Sequence, residues 1–407
     1  VPDQPIPLTH PLIKGVPRAH NKGAALVSFN ESAFCSYGKR QNANAPISER
    51  AAFAYTTALN HLLRRDGKQK LQLGETTVIV WADEPGPGEL ALMRVFSSED
   101  TDAVCEQLQR IARGVWAEDP TLDTEVRFYV LGLAPNIGRL RIRFFLTDTL
   151  GFFLSRVQQH CQDLLFTPPG VGVQVPSLAA LARATFPYDA ATKRYRINDQ
   201  GWKRLNRLTA DLVRAVLTGQ PYPSALLGVV LGRLRHDRHL TRERAGLIKA
   251  IINRMRRSAH PPAEEFGMAL APDHRDPGYL IGRLFAVLEC IQRASRAPKS
   301  SQPTLYDRYG PAGSTAPGMI IPTVLRLSMA HLKKAKREDP ARAYWLDKRA
   351  ENIIQVLGGT DHIPRQLSLE QQGAFFIGYY HERAVSCGRN KSNADTTTDQ
   401  VPENTED

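Results

Sequence analysis

The sequence predicts an α+β protein: an N-terminal α/β sheet domain followed by an all-α C-terminal helical bundle. Three observations carry this. Up to about residue 165, β-branched runs such as Thr77-Val78-Ile79-Val80-Trp81 alternate with helical patterns. Beyond that point almost no strand signal remains, and helical periods punctuated by Pro and Gly take over. The charge divides at the same place: residues 1–165 hold 18 Lys+Arg and 18 Asp+Glu, whereas residues 166–387 hold 33 and 18.

In chain order, residues 25–29 (Ala-Leu-Val-Ser-Phe) read as a strand. Ser48 can cap a helix over about 49–65, with Phe53, Leu59 and Leu63 among its apolar positions. The run at 77–81 is a strand, and Ser97 or Ser98 can cap a helix to about 113. Strands near 125–133 and 140–146 follow, and a helix over 149–164 closes the segment. The order β-α-β-α-β-β-α allows a ferredoxin-like or RNA-recognition-type sheet. The Pro168-Pro169-Gly170 stretch breaks the pattern. Helices are then expected near 177–186, 199–218, 223–235, 241–257, 277–296, 321–337, 340–357 and 367–384. The expected organisation is an α/β domain over 1–166, a helical region over 167–257, a second helical bundle over 258–387, and a disordered polar tail over 388–407.

No apolar run approaches the roughly 20 residues that span a bilayer, so no membrane is expected. The chain opens Val1-Pro2-Asp3-Gln4-Pro5, which is no signal peptide. It has no initiator Met and reads as a fragment or processed form. Cys35, Cys105, Cys161, Cys290 and Cys387 are odd in number, far apart and without a C-x-x-C. That argues against a disulfide scaffold or zinc ribbon, and a reducing cytoplasm is the simple reading.

The basic excess points to a polyanion, nucleic acid first. At 100° per residue, Lys203, Arg207 and Arg214 share one helix face while Leu205, Leu208 and Leu212 line another. Arg242, Lys249, Asn253 and Arg256 form a second stripe, with Arg257 beside it, and Arg326, Lys333 and Arg337 a third. One stripe alone would read as a solvated face; three in a basic region favour binding to phosphates. The loop over 30–42 mixes Asn30, Tyr37, Lys39, Arg40 and Asn42, and suits phosphate holding, base-edge reading and stacking. An ordinary polar loop is an equal reading. Alternation puts Arg139, Arg141 and Arg143 on one strand face, with Leu140 and Ile142 on the other. Such a trio needs an anion or acidic neighbours.

Catalysis finds little support. His236-Asp237, with His239 near, resembles the start of a metal-dependent HD site, but Arg235 and Arg238 flank it. Asp273-His274-Arg275-Asp276 has the same weakness. Asp83 and Glu84 follow a strand but precede a Pro-Gly-Pro-Gly turn. No phosphate-binding G-x-x-x-x-G-K-[ST], H-E-x-x-H or G-x-S-x-G occurs. A binding protein without cofactor or metal is expected.

Several stretches resemble one family. Leu26-Val27-Ser28-Phe29-Asn30, Ser36-Tyr37-Gly38-Lys39 and Asn44-Ala45-Pro46 resemble its loop, and residues 136–145, from Asn136 to Phe145, its "PN..RL.VRF" strand. Pro277-Gly278-Tyr279-Leu280-Ile281-Gly282-Arg283-Leu284-Phe285 resembles its "PGYLLGRLF" helix, and Asp307-Arg308-Tyr309 and Gly378-Tyr379-Tyr380-His381 its later signatures. The family is the large subunit of the type I-C CRISPR Cascade surveillance complex, and the similarity runs from about residue 8 to 383. It implies a non-catalytic subunit of an RNA-guided complex, in which base pairing reads the target sequence. The implied partners are the CRISPR guide RNA, the target double-stranded DNA and its separated strands, the Cascade backbone and small subunits, and a helicase-nuclease. The resemblance also implies a further N-terminal region and a C-terminal part similar to the small subunit, for which Met255 or Met268 could be an internal start. It adds Asn136 and Arg308 to the nucleic-acid-binding set. Residues 310–317, Gly-Pro-Ala-Gly-Ser-Thr-Ala-Pro, depart from the family pattern and read as a turn. The alternatives are a stand-alone single-strand or RNA-binding protein and, more distantly, an HD-type nuclease.

Overall fold

The structure, a computed structural model, describes residues 5–67, 69–73, 75–84, 86–96, 102–167, 175–296 and 302–388. The side chains of residues 102, 103, 105, 199, 202, 203, 206 and 388 lie outside that description. So do the expected caps Ser97 and Ser98, the break at 168–170 and the tail beyond Gly388. The protein is mixed α/β, sheet first and helices after, in two compact units. One comprises the described residues of Val1–Gln162, Pro169–Phe186 and Tyr195–Pro223; the other, those of Asp163–Pro168, Pro187–Arg194 and Ser224–Asp407.

The first unit is built on an antiparallel sheet of β1 (Lys70–Leu73), β2 (Thr76–Ala82), β3 (Arg127–Asn136) and β4 (Arg139–Thr149), in the order β1-β2-β3-β4. This corrects the ferredoxin-like expectation, which requires strands to be inserted between sequence neighbours. Here only two residues of sequence separate β1 from β2, and two separate β3 from β4, and each strand pairs with the next. The expected strand at 25–29 is also absent; only Ala25 bridges to Arg139. α2 (Pro87–Val95) stands where a turn was expected, with Pro87 in the first helical turn, where its missing N–H costs nothing.

One sheet face is covered by α1 (Glu49–Leu62) and the N-terminal segment. Ile79, Leu131, Leu133 and Leu140 pack there with Ile13, Val16, Ala24, Leu59 and Leu63. Ser48 caps α1 as expected, accepting from Ala51 N at 3.3 Å, but Phe53 is 65 % exposed rather than in the core. After α2 the chain forms α3 (Asp102–Ala112), α4 (Leu150–Leu164) and α5 (Leu178–Arg183), and α6 (Asp199–Thr218), expected with the helical part, packs in this unit against β1 and β2. A bulge interrupts β3 and β4: Gly132 pairs with Phe144 and Leu133 with Ile142, leaving Arg143 without a partner. The Phe144 ring covers Gly132, where a Cβ would meet it at 2.7 Å.

The second unit consists of α7 (Ala225–Asp237), α8 (Arg242–Ser258), α9 (Pro277–Ala294), α10 (Leu305–Thr315), α11 (Pro317–Glu338), α12 (Pro340–Val356) and α13 (Leu369–Gly388). α9 is buried from Gly278 to Gln292 and touches α10, α11, α12 and α13. It approaches α13 backbone to backbone. A Cβ on Gly278 would lie 2.1 Å from Gln371 O, and one on Gly378 2.1 Å from Tyr279 O. The glycines of the two motifs are thus where the helices touch.

Residues 310–315 are not a turn but the second half of α10, opened by a Thr304–Asp307 capping box. Pro311 inside it cannot donate to the Asp307 carbonyl. Arg238 Nη1 donates to that oxygen instead, at 2.9 Å. Cys290 and Cys387 form a disulfide between α9 and α13, with Cα atoms 5.9 Å apart. The argument against a disulfide scaffold did not foresee this one bridge, and its spacing of 97 residues gave no sign of it. Among the described residues, no helix is long and apolar enough to cross a membrane.

Candidate nucleic-acid interface

Two basic elements far apart in sequence meet in the first unit. The turn between β3 and β4, Ile137-Gly138, lies against the loop over 30–42. Leu140 N donates to Ala25 O at 2.9 Å, and Ala25 N to Gly138 O at 3.4 Å. Arg139 then ties the side chains together: its guanidinium donates to Asn30 Oδ1 and lies 4.2 Å from the centre of the Phe34 ring.

The loop is braced by one side chain, that of Asn44. Asn44 Oδ1 accepts from Ser36 N at 2.8 Å, while Asn44 Nδ2 donates to Lys39 O at 3.2 Å and Gln41 O at 2.9 Å. Tyr37 (φ 54°) and Gly38 (φ 67°) take left-handed conformations at the apex. This leaves the Tyr37 ring 96 % exposed, and Ile137 across the junction is equally exposed. Asn30, Lys39, Arg40, Asn136 and Arg141 are exposed around them. Cations beside projecting apolar tips can hold phosphates while a ring stacks on a base.

Two expected members do something else. Asn42 is buried, and its Nδ2 donates to Pro7 O at 3.1 Å, so it anchors the N-terminal segment rather than reading bases. Arg143 sits at the bulge and is half-buried, so Arg139 and Arg141 share a face without it. Sequence reasoning missed Phe34, Asn44 and Ile137. The motif containing Asn44 was visible, but its use as a loop brace was not.

The helix stripes divide. On α11, Arg326, Lys333 and Arg337 are exposed, as expected, and on α6 so are Arg207 and Arg214. The Lys203 side chain lies outside the described residues. Arg308 is exposed on α10.

The α8 stripe is a correction: Lys249, Asn253 and Arg256 are buried. Arg256 donates to Asp276 Oδ2 at 2.5 Å, to Glu370 Oε1 at 2.7 Å and to Glu264 O at 2.8 Å. Asn253 exchanges two hydrogen bonds of 2.8 Å with the Phe266 backbone. Arg257 binds Asp163 Oδ1 at 2.8 Å and Glu265. Burial lowers the Lys249 ammonium to about 8. Carboxylates from distant segments have taken the role expected of phosphate, and of these side chains Arg242 and Arg257 are left partly exposed.

Several of the suspected catalytic groups are likewise engaged. Asp237 Oδ2 accepts from buried Arg244 at 2.6 Å and from Tyr188 N at 2.9 Å. His239 meets the Asp237 carbonyl at 2.8 Å, and His236 is exposed. His274 stacks on Phe266, with ring centres 4.7 Å apart, and Asp276 caps α9. Among the described residues, no three His, Cys, Asp or Glu side chains are grouped to hold a metal.

In comparisons with known proteins, residues 2–386 match the family model described as CRISPR-associated protein (Cas_Csd1). No curated protein matches the chain.

Proposed function

The chain belongs to the Csd1 family of CRISPR-associated proteins, and from that premise we propose that it is a non-catalytic large subunit of a type I-C Cascade complex in the cytoplasm. In this reading it binds guide RNA and target DNA, stabilises the R-loop and helps recruit the helicase-nuclease. The observation that carries it is the junction of the 30–42 loop with the β3–β4 turn. There Tyr37 and Ile137 project between Lys39, Arg40 and Arg141. Such tips enter a base step, and the cations beside them hold the flanking phosphates. The exposed α11 stripe of Arg326, Lys333 and Arg337 offers a track for a separated strand. Sequence reading of the target then falls to the guide, not to these side chains.

Coexpression with the Cascade backbone subunits and a guide RNA, followed by purification through a tag on this chain, tests the reading. Backbone subunits and guide are expected to copurify. A chain that elutes alone and free of RNA overturns it.

One observation favours the stand-alone reading. Trp81, Tyr129 and Phe145 stack in a row on one sheet face, with centres 5.2 Å apart for Trp81–Tyr129 and 6.3 Å for Tyr129–Phe145. Phe145 is 55 % exposed, and single-strand binders use such rings as platforms. The same purification separates the two readings.

A further inference from the structure

Away from that junction, the first unit holds a cavity of about 700 Å³ between the N-terminal segment, the end of α1 and the start of β1. Lys14, Arg18, His20, Arg64, Arg65 and Lys70 line it, and no Asp or Glu does. These residues belong to the part of the chain whose total charge is balanced, so composition conceals them. The one carboxylate paired to this set among the described residues is Glu75, 3.5 Å from Arg18, and both side chains are largely exposed. In water such a pair is weak.

The walls are fixed by backbone contacts. Lys14 N donates to Asn60 Oδ1 at 2.7 Å, and Asn60 Nδ2 donates to Leu12 O at 3.2 Å. Ile13 and Ala24 exchange two backbone hydrogen bonds. Gly15 has φ +83°, and a Cβ there would lie 2.4 Å from Leu63 O, so the segment lies directly on the end of α1. Lys22 N donates to His20 Nδ1 at 3.3 Å.

A simpler role for these cations is to neutralise the negative end of α1. Lys70 does so, donating to Leu63 O at 3.0 Å. One cation meets that need and five more basic side chains remain. Concentrated in a cleft, they focus a positive field that an anion must offset.

The lining also narrows the class of anion. Single-strand sites pair cations with stacking aromatic rings, and this cavity has no Phe, Tyr or Trp. Its volume falls in the range of small-ligand sites, roughly 300–1,000 Å³, rather than that of a duplex track. We propose that the cavity binds a small ligand carrying linked phosphates, held by its di- or triphosphate group rather than by a base. The ligand is either an inorganic polyphosphate or a nucleoside polyphosphate, and the proposal does not depend on the assembly reading above.

Isothermal titration of the full chain tests this with inorganic phosphate, pyrophosphate, triphosphate and ATP. A short oligonucleotide without a terminal phosphate serves as competitor. Triphosphate is expected to bind at least tenfold more tightly than phosphate. ATP matching triphosphate identifies a site blind to the nucleoside; ATP binding tenfold more tightly assigns a nucleotide. Lys14→Ala/Arg64→Ala/Arg65→Ala should weaken binding at least tenfold. These side chains are exposed, so the circular dichroism spectrum should not change. Tyr37→Ala/Lys39→Ala should leave triphosphate binding intact. Equal, weak binding of every anion to wild type and triple variant overturns the proposal. So does displacement of triphosphate by the oligonucleotide at equal phosphate concentration, which would make the cavity part of a strand track.

Discussion

Arg139 and Phe34 meet across a sequence separation that no local pattern spans. The guanidinium lies 4.2 Å from the ring centre while also holding Asn30. One side chain thus docks the 30–42 loop on the β3–β4 turn. An exposed contact of this kind contributes about 0.5–1 kcal/mol. Its effect is to hold Tyr37 and Ile137 at one junction.

Arg139→Ala should therefore lower global stability by no more than about 1 kcal/mol but free the loop. Limited trypsin digestion reads this as faster cleavage after Lys39 and Arg40. An unchanged digestion rate would mean that the Asn44 brace alone orders the loop.

The α11 and α8 cations should behave in opposite ways. Arg326→Ala/Lys333→Ala/Arg337→Ala removes exposed charges, so stability should change little, by about 0.5 kcal/mol. The slope of log binding constant against log salt should become shallower, by up to about 0.7–0.9 per lost phosphate contact. Titration of the proposed complex with single- or double-stranded DNA across a salt series measures it. A slope equal to wild type removes α11 from the interface.

Arg256→Ala should do the reverse. It strands Asp276 at the head of α9, and breaking such a buried pair costs about 3–5 kcal/mol. Urea unfolding should show the loss. The salt slope of whatever protein remains folded should match wild type.

Gly282→Ala tests the contact between α9 and α13. The new methyl would lie 1.9 Å from Phe375 O, a backbone atom that cannot swing aside. A loss of at least about 3 kcal/mol is expected, seen as a lower denaturation midpoint. A midpoint within error of wild type would show that the helices can separate freely.

His381 couples this core to pH. Burial, with Lys249 nearby, pulls its pKa down to about 4 from 6.5, and its Nδ1 lies 3.0 Å from Tyr279 Oη. Above pH 6.5 the ring is neutral whether folded or unfolded and has no linkage effect. As pH falls from 6.5 towards 4, the unfolded chain takes up the proton and the folded one does not. Stability drops over that window by on the order of 3 kcal/mol. Burial lowers the His274 pKa as well, adding in the same direction. His381→Gln should flatten the unfolding midpoint between pH 7 and 4.5 relative to wild type.

Caps and periodicity made many helices legible. The helix expected at 199–218 forms at Asp199–Thr218, behind an Asn198 cap, and that expected at 241–257 at Arg242–Ser258, behind Thr241. Such signals act within a few residues of the backbone they satisfy. Pairing between strands was less legible, since the same β-branched runs suit several sheet orders. The proline in α10 misled because the residue that compensates for it, Arg238, lies 69 positions from the Asp307 carbonyl that it satisfies.

Sequence alone determined that an α/β part precedes a helical, basic part, and which helix faces carry cations. Periodicity and local charge are short-range properties. Tertiary structure decided which of those cations meet solvent. Arg326 and Arg256 read alike along the chain. Arg326 stays exposed, whereas Arg256 finds Asp276 and Glu370 folded against it. A guanidinium left in water keeps its hydration and can exchange it for a phosphate. One enclosed by protein must be paired internally, and the partners come from segments that only the fold brings near.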